Sequence, residues 1–157
     1  MSDVIEVRFV CVHNAGRSQM AEALLQELGG PSFEVASAGF EPRPVNPIVV
    51  EAMKPIGIDI SGAKSKSVFE LFRTGRYFNY VVTVCDESSA ERCPIFPGMT
   101  HRLGWSFEDP SGFKGTHDQK LAQVIRVRDE IQVRIETWLK ELPHLPKSFG
   151  VPIQPAP

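Results

Sequence analysis

The chain has 157 residues, 17 Lys and Arg against 19 Asp and Glu, a formal net charge of −2 and a pI near 6.1. A chain of this length forms one domain that buries roughly 68–70% of its unfolded surface, enough depth for a preorganised site. The near-neutral balance speaks against nucleic acid or an anionic membrane as partner, and 42% apolar with 23% charged residues speaks against a disordered chain.

No apolar run approaches the roughly 18 residues that a membrane span requires. The start, Met1-Ser2-Asp3-Val4-Ile5-Glu6, lacks the basic segment and apolar stretch of a signal peptide, so the cytoplasm is the expected location. Three cysteines, Cys11, Cys85 and Cys93, make an odd count that does not read as a disulfide framework. In a reducing compartment such residues are buried apolar groups, metal ligands or reactive thiols.

In chain order, residues 4–12 form a β-branched strand, and residues 17–28 a helix with Met20, Leu24 and Leu28 on one stripe, closed by Gly29-Gly30-Pro31. A second strand is expected at 33–38. Pro44 and Pro47 open a helix at about 46–56, and a short helix follows at about 67–73. Residues 80–85 read as a strand buried on both faces, and 101–105 as a short fourth strand. Leu121, Val124, Val127, Ile131, Ile135, Trp138 and Leu142 recur at steps of three or four, which predicts a long helix over about 119–142. Residues 143–157 carry five prolines and read as an extended tail beyond a single catalytic domain at 1–142. Alternating strands and helices predict an α/β fold, three-layered, with a four-stranded parallel sheet flanked by helices and ligand binding at the carboxyl ends of the strands.

Cys11-Val12-His13-Asn14-Ala15-Gly16-Arg17-Ser18 stands between the first strand and the first helix. A tight loop entering a helix aims successive N–H groups, here those of Val12, His13, Asn14, Ala15 and Gly16, into one concavity where the helix dipole adds positive potential. Arg17 adds a planar fork for two oxygens of a tetrahedral oxyanion, and Ser18 a hydrogen bond to the Cys11 sulfur, whose pKa is expected below the usual thiol value. Asn14 and Gly16 suit left-handed backbone. The alternative is a plain buried cysteine at a strand end. Asp109, held by Pro110 ahead of the long helix, is a candidate general acid; alone it reads equally as a turn residue.

The Cys-x5-Arg-Ser loop and the Asp-Pro before the last helix resemble the low-molecular-weight protein-tyrosine-phosphatase fold. Within that family Arg17-Ser18-Gln19-Met20-Ala21-Glu22, Ala36-Ser37-Ala38-Gly39, Gly57-Ile58-Asp59-Ile60-Ser61, Val81-Val82-Thr83-Val84-Cys85, Cys93-Pro94, Trp105-Ser106-Phe107-Glu108-Asp109-Pro110 and Arg126-Val127-Arg128-Asp129-Glu130-Ile131 resemble the arsenate reductases. The likeness runs from about residue 5 to 140. It implies a relay in which Cys11 attacks arsenate, Asp109 assists loss of an oxygen, Cys85 attacks the Cys11 sulfur and Cys93 takes over. The product is a Cys85–Cys93 disulfide, reduced by thioredoxin or another thiol donor, with no cofactor. If 86–92 is helical when reduced, a span of eight residues (roughly 12 Å) must unwind to close a disulfide, so 86–98 is expected to move. Phosphate or sulfate would fill the same anion site.

Some relatives hold potassium with an Asn and a Glu, here Asn14 and Glu22, plus Ser37, but the stretch supplying further oxygens reads Lys64-Ser65-Lys66. Cys85, Cys93 and His101 lack the spacing of a zinc site, and no metal is expected. His13 is read as pointing outward, His117 and His144 as solvated, Trp105 and Trp138 as packing, and Lys64 and Lys66 as an exposed basic patch. Two other readings stand beside the reductase: a tyrosine phosphatase, although Ser111-Gly112 follow the Asp-Pro where such enzymes commonly carry aromatics, and a non-catalytic redox or oxyanion sensor.

Overall fold

The computed structural model describes residues 4–73, 78–85 and 101–142. Four strands form one parallel sheet: β1 (Ile5–Cys11), β2 (Phe33–Gly39), β3 (Tyr80–Thr83) and β4 (His101–Gly104), in the order β2-β1-β3-β4. The helices are α1 (Arg17–Gly29), α2 (Pro47–Met53), α3 (Val68–Arg73) and α4 (His117–Glu141). Single 3-10 turns follow α1 and α2, and another begins at Pro110. Cys93, the 86–98 segment, His144 and the 143–157 tail fall outside the described residues, as do the structural expectations attached to them.

The β1 side chains divide between two cores because a strand alternates its faces. Ile5, Val7, Phe9 and Cys11 join Met20, Leu24 and Leu25 of α1, Val49 and Met53 of α2, and Val124, Val127, Ile131, Ile135 and Trp138 of α4 in the larger core. Val10 and Val81 turn the other way, towards Ala38, Val68 and Phe78. Helices thus cover both faces of the sheet, as the alternating pattern predicts. β3 is buried throughout except at Thr83.

Helix α4 starts two residues before the predicted boundary because Thr116 and Gln119 form a reciprocal capping box. Two polar anchors escape a reading by apolar stripe. Arg128, 8% exposed, donates from Nη1 to the Ala52 carbonyl at 2.7 Å, joining α4 to the last turn of α2. Arg8 is buried on β1, donates to Glu34 Oε1 at 2.7 Å and lies 4.3 Å over the Phe78 ring. Trp105 and Trp138 pack edge to face with centroids 5.8 Å apart. His117 is exposed and paired with Glu51 at 2.8 Å.

One stripe position differs from expectation. Leu28 is 37% exposed, whereas Leu25 is fully buried. At 100° per residue Leu28 falls between Leu24 and Leu25 on the wheel, so its exposure comes from its place in the last turn of α1, which ends at Gly29. Leu25→Ala is expected to cost about 2–4 kcal/mol in urea unfolding, and Leu28→Ala less than about 1 kcal/mol.

Candidate active site

The loop from Cys11 to Gly16 turns its carbonyls outward, and each has a partner. The carbonyls of Cys11, Val12, His13 and Ala15 accept from the backbone N–H groups of Phe40, Glu41, Arg43 and Asn46, at 3.3, 2.7, 3.0 and 2.9 Å. The Asn14 carbonyl accepts from Gln19 Nε2 at 3.2 Å and from the Ser65 hydroxyl, and that of Gly16 from Met20 N–H. A peptide's C=O and N–H point in opposite directions, so this outer strap turns the loop's N–H groups inward. They face a bowl of about 210 Å³ lined by Cys11, His13, Ala15, Gly16, Arg17 and Asp109, with Arg43, Pro44 and Pro110 at its mouth. Asn14 takes the left-handed conformation expected of it, with φ of 50°. Gly16 does not; its φ of −147° and ψ of −85° start the helix without positive φ. Gly39 closes the strap because a Cβ there would lie 2.8 Å from both the Asn14 nitrogen and the Val12 oxygen.

Cys11 is a free thiol, 2% exposed, at the floor of the bowl. Its sulfur lies 2.9 Å from Ser18 Oγ and accepts the Asn14 backbone N–H at 3.1 Å. Arg17 is buried with its guanidinium held across the bowl, donating to the Phe107 carbonyl at 3.1 Å and lying 3.5 Å from Asp109 Oδ2. Asp109 caps a short turn by accepting Ser111 N–H at 2.9 Å, and its side chain is 32% exposed. Next to it, Glu108 accepts from Arg126 at 2.7 Å, which pins this loop to α4 and raises the Arg126 pKa above its ordinary value. A free thiol, a ring of inward amides, a guanidinium fork and a carboxyl therefore converge on one anion-sized space.

The sequence matches the family model "Low molecular weight phosphotyrosine protein phosphatase" over residues 6–146. The chain belongs to the low-molecular-weight phosphotyrosine protein phosphatase family. Among family relatives, "Arsenate reductase" of Halalkalibacterium halodurans is 43% identical over 133 residues, covering 84% of this chain and 93% of that protein. A solved "arsenate reductase in the phosphate binding state" superposes with a TM-score of 0.69 at 31% identity, covering 88% of this chain and 98% of that one. The Corynebacterium glutamicum thioredoxin-dependent arsenate reductase gives 0.62 at 34% identity over 88% of this chain; this chain spans 60% of that one.

As a family member, the chain brings Cys11, Arg17, Ser18 and Asp109 together, with the amides of residues 12–16, as the loop motif predicts. Cys85 is buried at the carboxyl end of β3, the strand beside β1, and is disulfide-bonded. Val10 pairs with Thr83, which places Cys11 and Cys85 one residue out of register on neighbouring strands, roughly 6 Å apart at Cα from standard strand spacings. His13 is among the residues that line the bowl, and its ring nitrogen Nδ1 lies 3.1 Å from the Glu41 carbonyl in an exposed contact. Lys64 and Lys66 are exposed as expected, and the Lys66 ammonium also meets Glu22 Oε1 at 3.6 Å.

Sequence reasoning missed the strap at 40–46, Gly39 and Gln19. A signal was present in Pro42 and Pro44, which stiffen a segment running beside the loop.

The atoms corresponding to a potassium site do not fit a cation. Asn14 Oδ1 already accepts from Gln19 Nε2 at 3.1 Å and Lys66 N–H at 2.9 Å. Glu22 Oε1 accepts from Ser37 Oγ at 2.6 Å and faces the Lys66 ammonium. Hydrogen-bond donors and a built-in positive charge stand where a cation would need free oxygens.

Gly39→Ala pushes a methyl group into the loop backbone and should weaken phosphate or arsenate binding by about tenfold or more, the equivalent of about 1.4 kcal/mol. Calorimetric titration with inorganic phosphate, alongside a thermal melt, measures both effects.

Proposed function

We propose that the protein is an arsenate reductase that passes electrons from an external dithiol through Cys93, Cys85 and Cys11. The observation that carries this reading is a free thiol at the floor of an oxyanion bowl, with a disulfide-bonded cysteine at the end of the adjacent strand. Hydrolysis of a phosphate ester uses the first thiol and water. Reduction of arsenic(V) needs two electrons, which two thiols supply as they become a disulfide.

The steps balance as follows. Arsenate enters the bowl with its oxygens on the amides of residues 12–16 and on the Arg17 fork. The Cys11 thiolate, stabilised by N–H and O–H donors, bonds to arsenic while Asp109 protonates an oxygen that leaves as water. Cys85, as a thiolate, then attacks the Cys11 sulfur. The S–As bond breaks, its electron pair stays on arsenic, arsenite departs and a Cys11–Cys85 disulfide remains. Cys93 attacks the Cys85 sulfur and frees Cys11 as thiolate, and a thioredoxin-type dithiol reduces the resulting Cys85–Cys93 disulfide.

Strand alternation sets a demand on this relay. Cys11 and Val84 both belong to the larger core, so Cys85, the next residue, leaves the strand from the opposite face. Its sulfur reaches Cys11 by rotation of the chain just beyond the last paired residue, Thr83.

The mouth of the bowl supports a small inorganic substrate. Among the lining residues there is no Phe, Tyr or Trp to stack a phenyl ring; Pro44, Pro110 and Ser111 stand there instead. Among the described residues no helix is long and apolar enough to cross a membrane.

Purified protein with arsenate, thioredoxin, thioredoxin reductase and NADPH should consume NADPH. Cys11→Ser, Cys85→Ser and Cys93→Ser should each abolish it. Turnover that needs Cys11 but survives loss of both other cysteines refutes the relay, and rapid hydrolysis of an aryl phosphate in place of arsenate reduction refutes the reductase. Asp109→Asn should lower kcat by about 10²–10⁴-fold.

A further inference from the structure

We propose that the Lys66–Glu22 ion pair positions and tunes the Cys11 nucleophile through a hydrogen-bonded chain of Ser37, Asn14 and Ser18. The chain is continuous. Lys66 Nζ lies 3.6 Å from Glu22 Oε1, which accepts from Ser37 Oγ at 2.6 Å. Asn14 Nδ2 donates to Ser37 Oγ and to Ser18 Oγ, each at 2.8 Å, and Ser18 Oγ is 2.9 Å from the Cys11 sulfur. Asn14, Ser18 and Ser37 are fully buried, so water does not compete along this path.

The donor directions follow from the ends. Asn14 Oδ1 faces the backbone N–H of Lys66, which can only donate, so the amide orientation is fixed and its NH₂ faces the two serines. A carboxylate can only accept, so the Ser37 hydroxyl hydrogen points to Glu22 and its lone pair to Asn14. Ser18 receives the other Asn14 hydrogen, which leaves its own hydrogen for the sulfur. Together with the Asn14 backbone N–H, the sulfur then has two donors and takes the accepting role of a thiolate.

Lys66 offsets the negative charge of Glu22, which would otherwise repel the thiolate across the chain. The remaining charged or titratable groups facing Cys11 are Arg17, Arg43, His13 and Asp109 of the bowl. Around Lys66 itself stand Arg8 and Glu70. The same ammonium removes the need for a bound cation at Glu22.

This inference takes Cys11 as the nucleophile of the proposed reductase, but its test reads the sulfur by alkylation and needs no arsenate, so the two fail separately. The rate of iodoacetamide alkylation is followed against pH in the Cys85→Ser/Cys93→Ser protein, where Cys11 is the remaining thiol. Lys66→Met should move the midpoint up by about 0.5 pH unit at low ionic strength, the size expected for one uncompensated charge roughly 10 Å away. Lys66→Arg should restore it, and Glu22→Gln/Lys66→Met should bring it back towards the parent value by removing the charge itself. A folded Lys66→Met protein with an unchanged midpoint overturns the proposal, as does a double variant that keeps the full upward shift. Circular dichroism melts establish folding of each variant, and if Lys66→Met is unstable Lys66→Gln carries the test, with the same upward shift expected and an unchanged midpoint overturning the proposal.

Discussion

The structure depends above all on which way six peptide groups face. Between Cys11 and Gly16 every carbonyl is held from outside, four of them by backbone N–H groups from residues 40–46. An isolated loop of this length has no reason to choose that orientation, since inward N–H groups repel one another and lack acceptors. The strap supplies the reason by satisfying the carbonyls before any anion arrives. Oxyanion binding then requires little rearrangement, which is how preorganised donors act on a developing charge. Gly39 is part of the same device, because only a residue without a side chain lets the end of β2 lie against the loop backbone.

The sheet supplies a second constraint. Because β1 is central and β3 is its neighbour, their carboxyl ends open on the same edge, and a parallel sheet offers all its ligand positions there. Sulfurs belonging to residues 74 positions apart in sequence (11 and 85) are brought to adjacent strand ends by register alone. The pleat turns them to opposite faces, and Cys85 is buried with its carbonyl accepting the Phe107 N–H at 3.3 Å.

Much of this was legible in the residues because its causes are local. Cys11, Arg17, Ser18 and the intervening amides belong to one strand–loop–helix unit whose spacing carries its chemistry, and the apolar stripe of α4 follows directly from helix period. What escaped depends on partners distant in sequence. Nothing around Lys66 announces Glu22, 44 residues away, and nothing around Arg128 announces the Ala52 carbonyl, 76 residues away. Leu28 misled because a stripe position in the last turn of a helix keeps the right direction while running past the core it would pack against. Gly16 was expected in positive φ by residue type, yet the helix start at Arg17 sets its backbone. Asn14 was read for its backbone and as a possible cation ligand, and its side chain proves to be the junction between Ser18, Ser37, Gln19 and the Lys66 turn.

The three most buried guanidiniums show how this junction serves chemistry as distinct from stability. Arg8 and Arg128 are closed structures: each meets an acidic neighbour at 2.7 Å and a backbone carbonyl as well, so their charges are consumed by the fold. Arg17 is buried to the same degree, but the carboxylate it faces is 3.5 Å away and lies on the wall of an open bowl. An arriving oxyanion competes with Asp109 for that guanidinium. In the proposed reaction it takes the fork in a planar two-point contact, which the 3.5 Å spacing of this pair, wider than the 2.7 Å of the other two, favours.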